Sequence, residues 1–405
     1  MSKLKLQADR LRNEPVTAHY NPFSAETLAD PSSAYDHLHQ NEPVHLYKEY
    51  APPFYTLSRY ADVSSALTDS ETYSSEFGQG PRFTPPSGML SNPPQHTFFR
   101  GLVQQAFTPK AIRALGPRIE DLAEELLDDV ANKEIFDIHD DFAFPLPVVI
   151  IAELLDVPKD DLHLFKRWSD SAVEAMGAED PAPWLEDLRA MATYLLDQIG
   201  KRRLADNDND DLITRLVRAE TDGVGLQDDE ILSVVNQLLV GGNETTTSLI
   251  ANAVWRLLEN PMLWRRIVED PTLIDVAIEE SLRFDPPVLG LFRTTTRNIE
   301  LRGMTIPENS KVMLHYAAAN RDPEIFRDPH VFSLDRPPQR HLSFGLGVHF
   351  CLGAELARLE TRTALTTLLG RYPDLDLIDS GERIKPFFLW GRRTLPVRRR
   401  PEANR

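Results

Sequence analysis

Between residues 92 and 176 apolar positions recur at spacings of three and four. The pattern runs through NPPQHTFFRGLVQQAF (92–107), TPKAIRALGPRIEDLAEELLDDV (108–130) and DDLHLFKRWSDSAVEAM (160–176), with Ser, Thr, Asp or Pro near each start. It predicts capped amphipathic helices. Its longest uninterrupted stretch, from Leu226 to Leu258, predicts a helix of roughly 45 Å that crosses a whole domain. Elsewhere the period shortens. PVHLYK (43–48) and FYTLSR (54–59) flank APP and predict a hairpin, while VLGLFRTTTRNIELRGMTI (288–306), SKVMLHY (310–316) and LWGRRTLPVRR (389–399) read as strands. Between these strands lies an irregular, Pro-punctuated stretch, 318–345, long enough to be functional in its own right. The expected fold is mainly α with small β-sheets, and the absence of a fixed-period repeat or a low-complexity linker predicts one domain over 1–405.

Composition narrows the possibilities without choosing among them. At 41% hydrophobic and 26% charged, the chain can bury a sizeable core. No apolar run is long enough to span a bilayer, and the N-terminal MSKLKLQADRLRNE lacks the apolar stretch of an export signal. The expectation is a cytoplasmic protein with no membrane anchor. A net charge of −18 argues against nucleic acid as a partner. The acidic runs EELLDD (124–129) and DNDNDD (206–211) are read as a solvated helix face and a loop, not as metal sites.

The chemistry gathers around Cys351, the only cysteine, in FGLGVHFCLG (344–353). A lone thiol is open to several readings: a small buried hydrophobe, a nucleophile with His349 as its base, a zinc ligand, or a thiolate ligand to iron. Gly345 and Gly347 permit backbone conformations closed to other residues and a close approach to a flat partner. A helical pattern, LGAELARLETRTALTTLLG (352–370), begins at the cysteine, whose thiolate a helix N-terminus would favour. Upstream, IEESLRFDPP (278–287) sets Glu280 and Arg283 one turn apart, and LLVGGNETTTSL (238–249) places two glycines and three threonines in mid-helix. That composition costs a few kcal/mol of helix propensity, about 1 per glycine and half that per threonine. PPQHTFFR (93–100) puts His96 and Arg100 on one helical face.

Together these motifs resemble the cytochrome P450 superfamily in its soluble bacterial form. The pattern FxxGxxxCxG is met by Phe344, Gly347, Cys351 and Gly353; ExxR by Glu280 and Arg283; and the mid-helix Gly-Gly-x-acid-Thr pattern by Gly241, Gly242, Asn243, Glu244 and Thr245. The resemblance covers essentially the whole chain and implies a haem-thiolate monooxygenase, with heme b (iron protoporphyrin IX) held by the Cys351 thiolate. It implies haem contacts from Phe344, Gly345 and Gly353, with His96, Arg100, Arg293 and His349 toward the haem carboxylates. Glu244 and Thr245 are the implied catalytic acid and alcohol, and Arg336 the third member of a structural network with Glu280 and Arg283. A substrate lining of Met89, Leu239, Val240, Gly241, Val288, Leu289, Leu291, Phe388 and Leu389 is expected, with Phe387 and Trp390 placed equally well in the core. Such a lining suits a hydrophobic small molecule. The remaining expectations are O2 as co-substrate, electrons from a separate [2Fe-2S]-type ferredoxin and its reductase, a monomer, and a basic docking patch of Arg100, Lys110, Arg113, Arg358 and Arg362. The alternatives are a haem-based binder or sensor and a peroxide-driven peroxygenase, both disfavoured by the intact acid and alcohol.

Overall fold

The computed structural model describes residues 20–400 except 87, 179, 205–210 and 222–223. Most of the expected elements form where the periodicity put them. The hairpin β1 (Val44–Tyr47) and β2 (Phe54–Leu57) pairs Val44 with Leu57 and Tyr47 with Phe54. A short strand β3 (Tyr73–Ser74) precedes α1 (Gln95–Gln104) and α2 (Pro109–Asp129). Next come β4 (Ile135–Asp137), α3 (Pro145–Leu154), α4 (Leu162–Gly177) and α5 (Leu185–Leu204). The long helix α6 (Asp228–Glu259) is followed by α7 (Ile274–Phe284), β5 (Leu291–Thr295), β6 (Lys311–Leu314), α8 (Ala354–Arg371), β7 (Leu375–Leu377) and β8 (Pro396–Arg399). A separate hairpin joins Ile299–Leu301 to Met304–Ile306. Two sheets flank the helices, in the orders β1-β2-β6-β5-β3 and β7-β8-β4.

Local chemistry explains the main boundaries. A capping box starts α6, the Gln227 amide donating to Glu230 Oε2 at 2.9 Å, and three acids in its first turn suit the positive end of the helix dipole. It stops at Asn260 because Pro261 cannot continue it, and Asn260 instead caps the next helix. From Asn243 to Leu258 nearly every α6 side chain is buried, so this half of the rod is core on all sides. On α2, Ile112, Ile119, Leu122, Ala123 and Leu127 form the buried stripe that packs on α8. Glu124, Glu125, Asp128 and Asp129 lie on its exposed side, as expected of a solvated face. Of the second acidic run, 206–210 lie outside the described residues, and Asp211 caps the helix Leu212–Arg218.

Two expectations change. The helix after the cysteine begins at Ala354 with Gly353 as its cap, so Cys351 precedes the helix. Phe387 and Trp390 are core: Phe387 packs within 4.4 Å of the Phe23 ring centroid and 5.9 Å of Phe54, and Trp390 is 2% exposed.

Glu360, on α8, is fully buried, and burial alone pushes its carboxyl from the ordinary value near 4.5 up to about 8. Between these values the unfolded chain sheds a proton that the fold keeps, so stability falls as pH rises, by at most about 1.4 kcal/mol per pH unit. Glu360→Gln removes this slope. The stability difference between variant and parent is therefore expected to grow in the variant's favour from pH 5 to pH 8, measured by denaturant midpoints. A difference that stays flat across that range would show that the carboxyl ionises as freely in the fold as outside it.

Candidate active site

Cys351 sits in a loop shaped by three backbone bonds: Gly345 N to Leu342 O (2.8 Å), Phe350 N to Gly347 O (3.1 Å) and Cys351 N to Phe344 O (2.8 Å). Gly345 and Gly347 have φ of +69° and +68°, left-handed values that favour glycine, and a Cβ on Gly347 would come within 3.0 Å of Leu67 O. The amides of Gly353 and Ala354, at the start of α8, donate to the sulfur. The cysteine retains accessible surface, yet the protein mass around it pushes the thiol pKa up, against the lowering effect of those amides and of Arg100 and Arg358. These facts agree for a side chain enclosed on most sides and open on one. For its ionisation the enclosure matters more, because desolvation acts over the whole surrounding volume. Phe344 lies beside it, capped by the Arg358 guanidinium 4.6 Å above its ring.

A second group of side chains converges here from three separate parts of the chain. His96 on α1 and His349 in the loop bring their rings to 4.2 Å. Burial, then Arg293, His96 and Arg100, pull His349 down to about 3, and His96 is also lowered, chiefly by burial. Both imidazoles are thus neutral at ordinary pH. Arg293, buried on β5, donates to Phe292 O at 3.0 Å and interacts with Tyr316. His96 Nδ1 and His349 Nε2 are buried without a hydrogen-bond partner, and among the described residues neither Arg100 nor Arg293 is paired with a carboxylate. Two guanidiniums and two unsatisfied imidazole nitrogens beside a thiol make a cradle for an anionic group.

The mid-helix motif of α6 adopts a particular local chemistry. Thr245 Oγ1 donates to Gly241 O at 2.7 Å, the i−4 back-bond that loosens a helix turn. Glu244 is buried, with Ser248 Oγ donating to Oε1 at 3.2 Å, and burial raises its pKa. Asn243 donates to Ser169 on α4 at 3.0 Å.

Glu280 and Arg283 form a buried, bidentate pair with both contacts at 2.7 Å, at 4% and 2% exposure. Arg336 adds two bonds to Glu280 at 3.1 Å, and the Ser333 amide a third contact at 2.9 Å. The arginines also donate to the carbonyls of Asn320, Pro329 and Val331, which moors the irregular stretch ahead of the cysteine. Asn320 and Ser343 belong to this mooring although no motif marks them: Asn320 donates to Ser343 Oγ at 2.9 Å and accepts the Leu342 amide at 2.7 Å.

The expected lining residues fall into two groups. Val288–Leu289 lies against Phe388–Leu389, through a bridge between Val288 and Leu389 and the bond Leu289 N to Phe388 O (2.8 Å). Met89 is tied to α6 by its amide, which donates to Gln237 Oε1 at 3.0 Å. Leu239 is buried, Val240 and Leu291 are half-buried, and Gly241 is exposed. Phe388, at 2% exposure, packs edge-on against Phe292 and Phe387 and is part of the aromatic core. Lys311 was missed in the sequence: its buried Nζ holds the carbonyls of Phe77 and Gly78 at 2.7 and 2.9 Å and so pins the loop that leads to Met89.

The expected docking patch is altered as well. Arg358 pairs with Glu279 at 2.6 Å and Arg362 with Asp275 at 2.5 Å, so neither presents unopposed charge. Arg100 faces the imidazole cluster. Only Lys110 and Arg113 of the set are exposed without an ion pair among the described residues.

Comparison with known proteins gives the family. The profile of the family described as Cytochrome P450 matches residues 186–388. Cytochrome P450 109 of Bacillus spizizenii is 39% identical over 91% of both chains. The erythromycin C-12 hydroxylase of Saccharopolyspora erythraea is 41% identical over 84% of this chain and 87% of its own. Among solved structures, CYP109E1 from Bacillus megaterium in complex with testosterone superposes with a TM-score of 0.80 at 34% identity, covering 94% of this chain and all of that one. With relatives of this identity matched along nearly their whole length, and with an acid and a threonine on the long helix and a lone cysteine in a glycine-shaped loop, the chain belongs to the cytochrome P450 family and is a monooxygenase.

Proposed function

We propose that Cys351 would supply the thiolate ligand of a heme b, which the cysteine loop and α6 would hold, and that the enzyme hydroxylates or otherwise oxidises a hydrophobic small organic molecule, with O2 and two electrons from a separate ferredoxin and reductase. The observation that carries this is the cradle beside Cys351, where Arg100, Arg293, His96 and His349 converge with two imidazole nitrogens unpartnered. Its donors fit the haem carboxylates: two fixed cations and two neutral rings able to donate. Gly345 and Gly353 let the backbone approach a flat group closely, and Phe344 shields the sulfur from water. When bound, the haem supplies the reductive activation of O2 and the insertion of one oxygen atom.

The remaining work is done by side chains. The Gly353 and Ala354 amides stabilise negative charge on the sulfur. Glu244, whose pKa burial raises, and Thr245, whose hydroxyl is aimed by its bond to Gly241 O, deliver protons on the α6 side. The substrate is expected against Met89, Leu239, Val240, Gly241, Val288, Leu289 and Leu291, with Phe388 and Leu389 behind them. Apolar side chains at these positions, and the erythromycin and testosterone named for the relatives, support a hydrophobic substrate. Lys110 and Arg113 are the residues offered to a small acidic ferredoxin. Among the described residues no helix is long and apolar enough to cross a membrane, and we read the chain as a single haem domain acting as a cytoplasmic monomer.

Thr245→Ala tests the catalytic part of this reading. Haem content and substrate affinity are expected to stay near those of the parent, while most of the electrons consumed go to peroxide or water instead of product. Product and peroxide measured per NAD(P)H oxidised decide it. Unchanged product per electron would mean that position 245 serves the helix alone.

A further inference from the structure

The turn that carries Phe388 and Leu389, residues 384–389, is wound around one side chain. Arg383 donates from Nη1 to Ile384 O at 2.7 Å, and from Nη2 to Pro386 O at 3.0 Å and Leu389 O at 2.6 Å, with Lys385 O at 3.5 Å from Nη1. Among the described residues no carboxylate pairs with it. Its Cζ lies 5.2 Å from the Trp390 ring centroid, and burial, then Arg392, pull its pKa down to about 10, so the group stays charged at ordinary pH. Carbonyls that converge on one point repel one another. A planar fork of donors is the group able to hold several of them at once.

Other bonds of the segment run outward. Phe388 O accepts the Leu289 amide at 2.8 Å, Trp390 O accepts Asn252 Nδ2 from α6 at 3.0 Å, and the Trp390 amide donates to Pro287 O at 2.8 Å. Pro386 fits against the last residue of α4, where a Cβ on Gly177 would come within 2.7 Å of the Pro386 Cβ. The segment's own backbone bonds are long by comparison, 3.3 Å from Leu389 N to Pro386 O and 3.2 Å from Ile384 N to Gly391 O. The charged contacts to Ile384 and Leu389 are both shorter and stronger in kind than these, so the guanidinium dominates the turn from inside.

We propose that Arg383 determines which substrates this enzyme accepts: its guanidinium is the template on which the turn 384–389 forms, and it holds Leu389 beside Val288 as a fixed wall. The inference rests on the reading that places Phe388 and Leu389 at the substrate. Arg383 touches no reacting atom and is a positioning residue. A fixed wall rejects a ligand that is too broad, whereas a wall on a loose turn gives way to it. Arg383 therefore acts on discrimination by size and leaves the chemistry to the groups described above.

The test compares the parent holoprotein with Arg383→Ala and Arg383→Lys in two measurements. The first is hydrogen exchange of the amides of Leu289, Leu389 and Trp390, read by mass spectrometry on peptides from 286–290 and 384–391, with a peptide from α2 as internal reference. Arg383→Ala is expected to speed exchange at these amides about tenfold while α2 keeps the parent's rate. Lysine should recover little of the loss, since an ammonium donates from one point and cannot span the carbonyls of Ile384, Pro386 and Leu389. Guanidinium chloride at millimolar concentration, filling the space left in Arg383→Ala, should slow exchange again. Parent rates in Arg383→Ala overturn the inference, and so do parent rates in Arg383→Lys, which would show that charge without the fork suffices. If Arg383→Ala yields no folded protein, Arg383→Lys alone decides.

The second measurement is the affinity for N-substituted imidazoles graded from methyl to naphthyl, followed by the shift of the Soret band. In Arg383→Ala the naphthyl compound is expected to gain about fivefold in affinity relative to N-methylimidazole, because the wall that excludes it has loosened. Faster exchange at the turn with the parent's ranking of imidazoles intact would show that the turn is no wall of the substrate space. That outcome overturns the placing of Phe388 and Leu389 and the inference with it, whereas unchanged exchange overturns the role of Arg383 alone.

Discussion

Reduced under carbon monoxide, the Cys351→Ser protein will lack the strongly red-shifted Soret band that the unaltered protein shows. The band reports thiolate ligation, and serine replaces the sulfur with a hydroxyl whose pKa is far too high for it to ionise here. Cysteine can ionise because the local field favours the anion at that point: two amides from the start of α8 donate to the sulfur, and Arg100 and Arg358 add positive charge. Burial works the other way and holds the free thiol above its ordinary value, so iron is needed to complete the ionisation. The expected change is therefore loss of the band, with any bound haem showing the spectrum of a weaker, oxygen- or nitrogen-based ligand. A red-shifted band persisting in Cys351→Ser would remove Cys351 from the site.

Glu280→Ala and Arg283→Ala are each expected to give little haem-loaded protein. The pair is buried and bidentate, and Arg336 and the Ser333 amide share the same carboxylate. Removing Glu280 leaves the guanidiniums of Arg283 and Arg336 without their counter-ion, at a cost of about 3 to 5 kcal/mol, a large share of the stability of an ordinary domain, and removing Arg283 leaves Glu280 with only Arg336 and the Ser333 amide. The loss is directed at the site, because Arg283 and Arg336 also bind the carbonyls that moor residues 320–336. The ratio of Soret to protein absorbance, with soluble yield, measures the effect. Arg283→Lys should also fail, since an ammonium cannot reproduce the two-pronged contact. Normal holoprotein from Glu280→Ala would show that the loop is held by its other contacts.

Much of the fold was legible in the chain. The stripe on α2, the capping signals of α6 and the hairpin at 44–57 depend on residues near one another in sequence, and periodicity reports them directly. The motif residues were legible for another reason. Phe344, Gly347, Cys351 and Gly353 act through one short loop, and Glu280 and Arg283 through one helical turn, so their spacing survives in the sequence. Residues whose partners lie far away were not. Lys311 reaches carbonyls more than two hundred positions back in the chain, and Asn320 meets Ser343 across the irregular stretch. Arg358 and Arg362 were misread as unopposed charge for the same cause, their acids lying 79 and 87 positions away.

By itself the sequence determined the helices and strands, the backbone freedom of the cysteine loop and the residue types available for chemistry, because glycine's access to positive φ, the missing N–H of proline and a run of apolar side chains act over a few residues. Only the tertiary structure decided which charges are neutralised, which polar atoms are buried without partners and that all three rings of the FFLW segment join the core. Those are properties of the surrounding volume: the field at Glu244, Arg358 or Cys351 is set by desolvation and by groups folded in from elsewhere, and no spacing along the chain encodes it.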